Sequence, residues 1–188
     1  MGHSQAEKAQ SRERILREAA DQIRDGGLES VSVGKLMKSV NLTHGGFYGH
    51  FASKEDLIAQ ACARASDRSR ARWARLSERA PDNPLAEIAR VYLTPQHRDS
   101  PGAGCLIAAL GPDVARQGPA VRDAVTAGVR AALDFLTRIV PGRSRAAKRR
   151  KAIASYASMV GGMVLARAVN DRVFSKEILD AVEASIRG

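Results

Sequence analysis

Ser32 to Leu57 reads SVGKLMKSVNLTHGGFYGHFASKEDL, and this stretch decides the fold. It predicts two short helices with a tight connection, then the start of a third, longer one. Ser32 is expected to cap a helix over 33–40, with Asn41-Leu42 as the turn. Thr43 is expected to cap a helix over 44–50, and Ser53 a helix reaching Arg79. Gly45, Gly46 and Gly49 fall inside the second short helix, where each glycine costs roughly 1 kcal/mol relative to alanine. That helix therefore does more than pack. Phe47 and Phe51, four apart, give it one narrow apolar stripe and read as core. Thr43, His44, Tyr48 and His50 can hydrogen-bond. A helix anchored along one edge, and small and polar elsewhere, suits a DNA major groove.

On this reading phosphate contacts supply most of the affinity and base edges supply specificity. Ser32, Thr43, Tyr48 and Lys54 are the candidate phosphate contacts, helped by free amides at the helix N-termini. His44, in the first turn of the recognition helix, is the best candidate for reading a base. Gly45 and Gly46 allow close backbone approach. His50 is an alternative contact or a brace for the helix.

At Val33, Leu36, Met37, Val40, Leu42, Thr43, Phe47, Tyr48, His50, Phe51, Ser53, Lys54, Glu55 and Leu57 the chain resembles the tetracycline-repressor (TetR) family of bacterial regulators. The segment FYGHFASKEDL is similar to the family's aromatic-Tyr-x-His-Phe-x-x-Lys-Glu-x-Leu. Gly34 and Gly49 depart from the usual pattern, where larger polar residues are common. The resemblance implies an all-α, nine-helix architecture. Residues 1–59 would form a three-helix, helix-turn-helix DNA-binding domain, and residues 60–188 a ligand-sensing and dimerisation domain. It also implies a homodimer on a double-stranded operator with two half-sites. PGAGCLIAALGPDVAR resembles a segment of a family branch that includes a thiol-sensing repressor of electrophile defence.

Composition agrees with a folded, DNA-binding chain. The 188 residues are 44% hydrophobic, enough for a real core. The formal net charge of +10 favours an acidic partner such as nucleic acid, although plain solubility is an equally ordinary reason for it. No apolar run is long enough for a transmembrane span. The N-terminus MGHSQAEKAQSRERI has no apolar stretch of the signal-peptide kind. A cytoplasmic protein with no membrane partner is expected, with Cys62 and Cys105 as reduced thiols.

Outside the decisive stretch, Ser4–Asp25 reads as a helix whose apolar face carries Ile15, Leu16, Ala19, Ala20 and Ile23, stopped by Gly26-Gly27. The long helix from Lys54 carries many arginines around Trp73. Further helices are expected over 85–94, 105–115 (interrupted near Gly111-Pro112), 119–140 and 145–169. A last helix over 176–186 is expected to be capped by Ser175. PQHRDSPGAG is expected to be a loop. Tyr156, Val160, Met163 and Val164, with Ile178 and Val182, offer a dimer surface once the resemblance is added; burial within one monomer is the simpler reading. The basic run from Arg143 to Lys151 reads as a solvated helix start or as added attraction for DNA.

In the sensor half, Cys105 is the sharp candidate, because it follows SPGAG at a predicted helix N-terminus. Reactivity follows the thiolate, which such a position favours. His97 and Arg98 are candidate helpers. An electrophile or oxidant would modify Cys105, or a small apolar ligand would pack beside it; a packed structural thiol is the plain alternative. Trp73, Tyr92, Phe135 and Met159 are candidate cavity residues, although an apolar set of this kind is more often core. Cys62 is expected to be silent.

No cofactor or metal is expected, and no enzyme motif is present: there is no G-x-S-x-G, no H-E-x-x-H and no phosphate loop. The leading expectation is a repressor released from DNA by a ligand or by modification of Cys105. A sensorless architectural DNA-binding protein, or an activator, is the alternative.

Overall fold

The structure is a computed structural model that describes residues 5–187. Among these residues the fold is all helical, with nine α-helices. They are α1 (Gln5–Gly26), α2 (Val33–Ser39), α3 (Lys54–Arg79), α4 (Pro84–Tyr92), α5 (Pro95–Asp99), α6 (Leu106–Val114), α7 (Pro119–Ile139), α8 (Arg145–Ala168) and α9 (Arg172–Arg187). Three 3-10 segments join them, at Leu28–Ser30, His44–Gly49 and Pro101–Ala103. The expected start of the first helix at Ser4 lies outside the described residues.

Local chemistry sets most boundaries. Gly27 ends α1 with φ 89°, a left-handed value that glycine adopts without a Cβ penalty. Asn41 takes φ 58° in the turn after α2, a conformation asparagine tolerates better than most residues. Ser53 Oγ accepts from Asp56 N at 3.0 Å, and Asp56 returns a bond to Ala52 N at 3.0 Å. This reciprocal cap starts α3 and fixes the exit of the recognition segment. Ser32 sits at the start of α2, but its side chain makes no capping bond.

The structure corrects four expectations. The helix over 44–50 is a 3-10 segment, because three glycines in six residues weaken an α-helix and the tighter turn keeps Phe47 inward. The expected loop at PQHRDSPGAG contains α5: Thr94 Oγ1 accepts from His97 N at 3.2 Å, and Pro95 suits the first helical position. Pro112 does not interrupt α6, which runs on to Val114. Ser175 does not cap α9. Asp171 does, accepting from Val173 N at 2.8 Å and Phe174 N at 3.1 Å. Ser175 is instead buried one turn in, where it donates to the Ala166 carbonyl at 2.6 Å and accepts from Arg98 at 2.9 Å.

Two apolar clusters hold the chain together. The first joins Ile15, Ile23, Leu36, Met37, Phe47 and Leu57 to Leu106, Leu110 and Val121 of α6 and α7. The second gathers Trp73, Ile88, Tyr92, Leu136, Met159 and Leu179 from α3, α4, α7, α8 and α9. Each large apolar side chain buried in this way contributes roughly 1.5–3 kcal/mol. Because α6 and α7 enter the first cluster, the recognition segment and the helical body share one packed core. α3 is the common strut, packed on α1 and on α7.

Candidate DNA interface and effector cavity

The recognition segment is pinned from beneath and open above. Phe47 is 1% exposed and Phe51 2%, with ring centroids 5.5 Å apart. Arg12 of α1 lies 5.2 Å over the Phe51 ring, a cation–π contact that ties α1 to this floor. Tyr48, the next residue round, is 70% exposed and meets Phe47 edge-on. Ser32, Thr43, His44, Gly45 and Gly46 are all exposed as well. Thr43 Oγ1 accepts from Gly46 N at 3.3 Å, so its O–H remains a free donor. Gly34 lies beside His44: a Cβ there would touch the His44 ring at 3.7 Å. The open face of α2 and the recognition segment therefore carry hydroxyls, an imidazole and bare backbone together.

His50 is placed differently. It is half-buried beside Phe51, and its Nδ1 has no hydrogen-bond partner. Burial first, then Lys8 and Arg12, push its pKa down. Lys54 lies 3.6 Å from Glu29, a loose and exposed pair that a phosphate could displace. Lys35, exposed on α2 next to Gly34, is a further candidate phosphate contact. The sequence signal for it is its place two residues beyond the helix start, in the first turn of α2.

Within the helical body lies a cavity of about 240 Å³ between α3, α4, α7 and α8. Trp73, Tyr92 and Cys105 line it. Phe135 and Met159 do not: Met159 is fully buried in the second cluster, and Phe135 packs there under Arg138. Tyr156, expected on the dimer surface, turns into this cavity. Its ring meets Trp73 edge-on at 5.5 Å, and its Oη lies 3.9 Å from Cys105 Sγ. Tyr92 Oη is buried on the wall without a hydrogen-bond partner.

Cys105 sits at the start of α6, is 6% exposed and lines the cavity. Its backbone N donates to His97 Nε2 at 3.0 Å. The other ring nitrogen, Nδ1, therefore carries the proton and donates to the Tyr92 carbonyl at 2.6 Å. Burial lowers the His97 pKa to about 4, so this imidazole is neutral near pH 7 and positions the Cys105 loop without lending it charge. Arg98 turns away to Asp99 and Ser175 and does not assist the thiol. Cys62 is fully buried, and burial pushes its thiol up to about 12, which makes it inert.

The loop before Cys105 is held by the end of α1. Gly102 N donates to Asp25 Oδ1 at 2.7 Å, and Arg24 Nε donates to the Gly102 carbonyl at 2.7 Å. A Cβ on Gly102 would collide with the Asp25 carboxylate, so a larger residue there would push that carboxylate off the Gly102 amide. From the other side, Arg167 of α8 donates to the His97 and Arg98 carbonyls at 2.9 and 3.1 Å. These long-range contacts had no signal in the sequence.

The expected dimer residues divide. Met163 is fully buried inside the monomer, within the second apolar cluster. Val182 is half-buried and packs on Gly162, which a Cβ would bring within 3.0 Å of it. Val160 and Ile178 are half-buried against the second cluster. Val164 is 40% exposed, and around it the sequence reading passed over Ile153 and Leu165. Val173 and Phe174 are also exposed, at the start of α9.

Comparison with known proteins agrees with this geometry. Residues 15–61 match the family described as "Bacterial regulatory proteins, tetR family". Escherichia coli NemR in its reduced form is similar in structure, with a TM-score of 0.77, 21% identity and 95% of each chain covered. A TetR-family regulator from Agrobacterium tumefaciens gives 0.75 and 23% identity, covering 96% of this chain and 100% of its own. One from Cytophaga hutchinsonii gives 0.77 and 20%, covering 99% and 96%. No curated protein matches the sequence significantly. Residues 15–61 thus match the tetR family of bacterial regulatory proteins, and the chain as a whole has the fold seen in TetR-family regulators.

Proposed function

We propose that the protein is a dimeric, DNA-binding transcriptional regulator, a repressor released from its operator through the cavity that holds Cys105. The observation that carries this reading is the exposed row from Ser32 to Tyr48 on a floor of Phe47 and Phe51. Thr43, Tyr48, Ser32 and Lys54 would fix the register on phosphates, and His44 would read a base edge. A single segment of this length reads few base pairs, so two copies are needed for a specific site. The exposed apolar residues Val164, Leu165 and Phe174 on α8 and α9 supply a surface for the second copy.

Release follows from the clamp between Gly102 and the end of α1. A molecule entering the cavity, or an adduct on Cys105, displaces the loop that Arg24 and Asp25 grip. The DNA-binding part, which we place before Gln60 on α3, then moves relative to its copy in the dimer. The effector needs only to prefer the arrangement that does not fit DNA. With an unsaturated carbonyl compound, the Cys105 sulfur lone pair forms the new C–S bond and the thiol proton ends on the carbon next to the carbonyl. The cavity favours this reading over a sensorless DNA-binding protein.

Fluorescence anisotropy on the DNA upstream of the protein's own gene tests it, with and without N-ethylmaleimide. Tight, competitor-resistant binding that is lost on treatment, and kept in Cys105→Ser, is the expected result. Release of Cys105→Ser as readily as the natural protein would remove the thiol from the mechanism and leave a ligand as the trigger.

A further inference from the structure

The described residues that line the cavity include five arginines and no aspartate or glutamate. Arg24 is buried, and Arg68, Arg72 and Arg75 are exposed along one side of α3. Arg68 has only a 3.5 Å contact with Asp21, and Arg70 a 3.0 Å pair with Asp67, both outside the lining. Arg72 and Arg75 have no ion pair among the described residues. Beside them the wall is apolar, made by Trp73 and Leu76 of the same helix and Ile88 of α4. On the same wall stands the buried hydroxyl of Tyr92, which has the Cys105 thiol beside it and makes no hydrogen bond of normal geometry.

A buried hydroxyl with nothing to bond carries a cost that a ligand oxygen would relieve. Unpaired guanidinium groups beside an apolar wall suit a planar carboxylate, which they bind through two parallel N–H bonds. A cation or a neutral apolar molecule would leave both features unused. We propose that the cavity binds a small organic anion, an apolar ring or chain bearing one carboxylate, held between Arg72 and the Tyr92 hydroxyl. This deepens the reading above and rests on the cavity being the effector site. The carboxylate would also draw on Arg24, which pairs with Asp21 at 2.6 Å and holds the Gly102 carbonyl, so occupancy and the α1 clamp compete for one side chain.

Trp73 is the only tryptophan in the chain and lies on the cavity wall, so its fluorescence reports occupancy without DNA. Cinnamate, cinnamamide and cinnamylamine share a body and differ in charge. Cinnamate should change the Trp73 signal saturably below ~10 mM, at least roughly tenfold more tightly than the amide, with the amine weakest. Arg72→Gln should weaken cinnamate binding roughly tenfold and leave the amide unchanged, and Tyr92→Phe should weaken cinnamate similarly. Thermal melting of both variants checks that the fold is retained. Equal binding of the amide, stronger binding of the amine, or no saturable change with any of the three overturns the proposal. Operator anisotropy with and without cinnamate is read separately. Carboxylate binding without any effect on DNA would keep the anion site and reject the effector reading.

Discussion

Asp25 and Gly102 meet across 77 positions of sequence: the Gly102 amide donates to the Asp25 carboxylate at 2.7 Å. Beside them Arg24 takes the Gly102 carbonyl. The last turn of α1, which belongs to the DNA-binding part, therefore grips the peptide that leads into Cys105. Gly102 is held on both its N–H and its C=O by neighbouring side chains, which ties the two peptide units around it to the end of α1.

Asp25→Ala removes the acceptor and leaves a buried amide unpaired, which costs about 1–3 kcal/mol. Urea denaturation should show a loss of that size. In anisotropy the variant should still bind operator but respond less to the effector or to N-ethylmaleimide. An unchanged response would mean that coupling runs through another contact.

Phe47 and Tyr48 are neighbours with opposite roles. Phe47→Ala empties a core site and should cost about 3–5 kcal/mol. Tyr48→Ala alters an exposed ring and should leave stability within about 0.5 kcal/mol. It should weaken DNA binding all the same. Paired denaturation and binding curves distinguish the two effects.

His44 and Lys54 should separate specificity from general affinity. His44→Ala should relax base preference at one position of each half-site by about 1–3 kcal/mol. Lys54→Ala should weaken binding across all sequences and lower the salt slope by about one unit per site. Competition binding with single-base operator variants, repeated over a salt series, measures both.

Burial holds His97 at a pKa of about 4, below its ordinary value of 6.5. The unfolded chain therefore binds a proton in this window that the folded chain does not. The stabilisation is complete above pH 6.5 and is lost as pH falls toward 4. His97→Gln should flatten this part of the stability–pH curve, measured by denaturation, with a difference of up to about 3 kcal/mol.

Much of the fold was legible because it rests on local chemistry. Thr43 and Ser53 each accept an amide at a helix start, as expected, and Phe47 and Phe51 fall inward at the spacing their positions require. The errors arose where two local signals competed or where distance in sequence hid a partner. Thr94-Pro95 is a helix start inside a stretch rich in loop residues. Ser175 resembles a cap but bonds to the Ala166 carbonyl and to Arg98, 77 positions away. The arginines around Trp73 carried no site reading in the sequence, because their place on a cavity depends on α4, α7 and α8. Tyr156 and Met163 looked like interface residues because helix periodicity gives an apolar face without saying what covers it.

The dimer surface needs its own test. Phe174→Asp puts a charge on an exposed apolar residue, so the monomer should remain folded. Sedimentation should then show a shift from dimer to monomer, with operator affinity falling in parallel. A dimer that survives both Phe174→Asp and Leu165→Arg would place the interface elsewhere.

The most direct test of DNA-binding regulation is recovery of genomic fragments by the purified protein, followed by sequencing. The recovered fragments should share one motif of two similar half-sites, and Tyr48→Ala should abolish the enrichment. Recovery of fragments in proportion to their abundance, with no shared motif, would contradict the account.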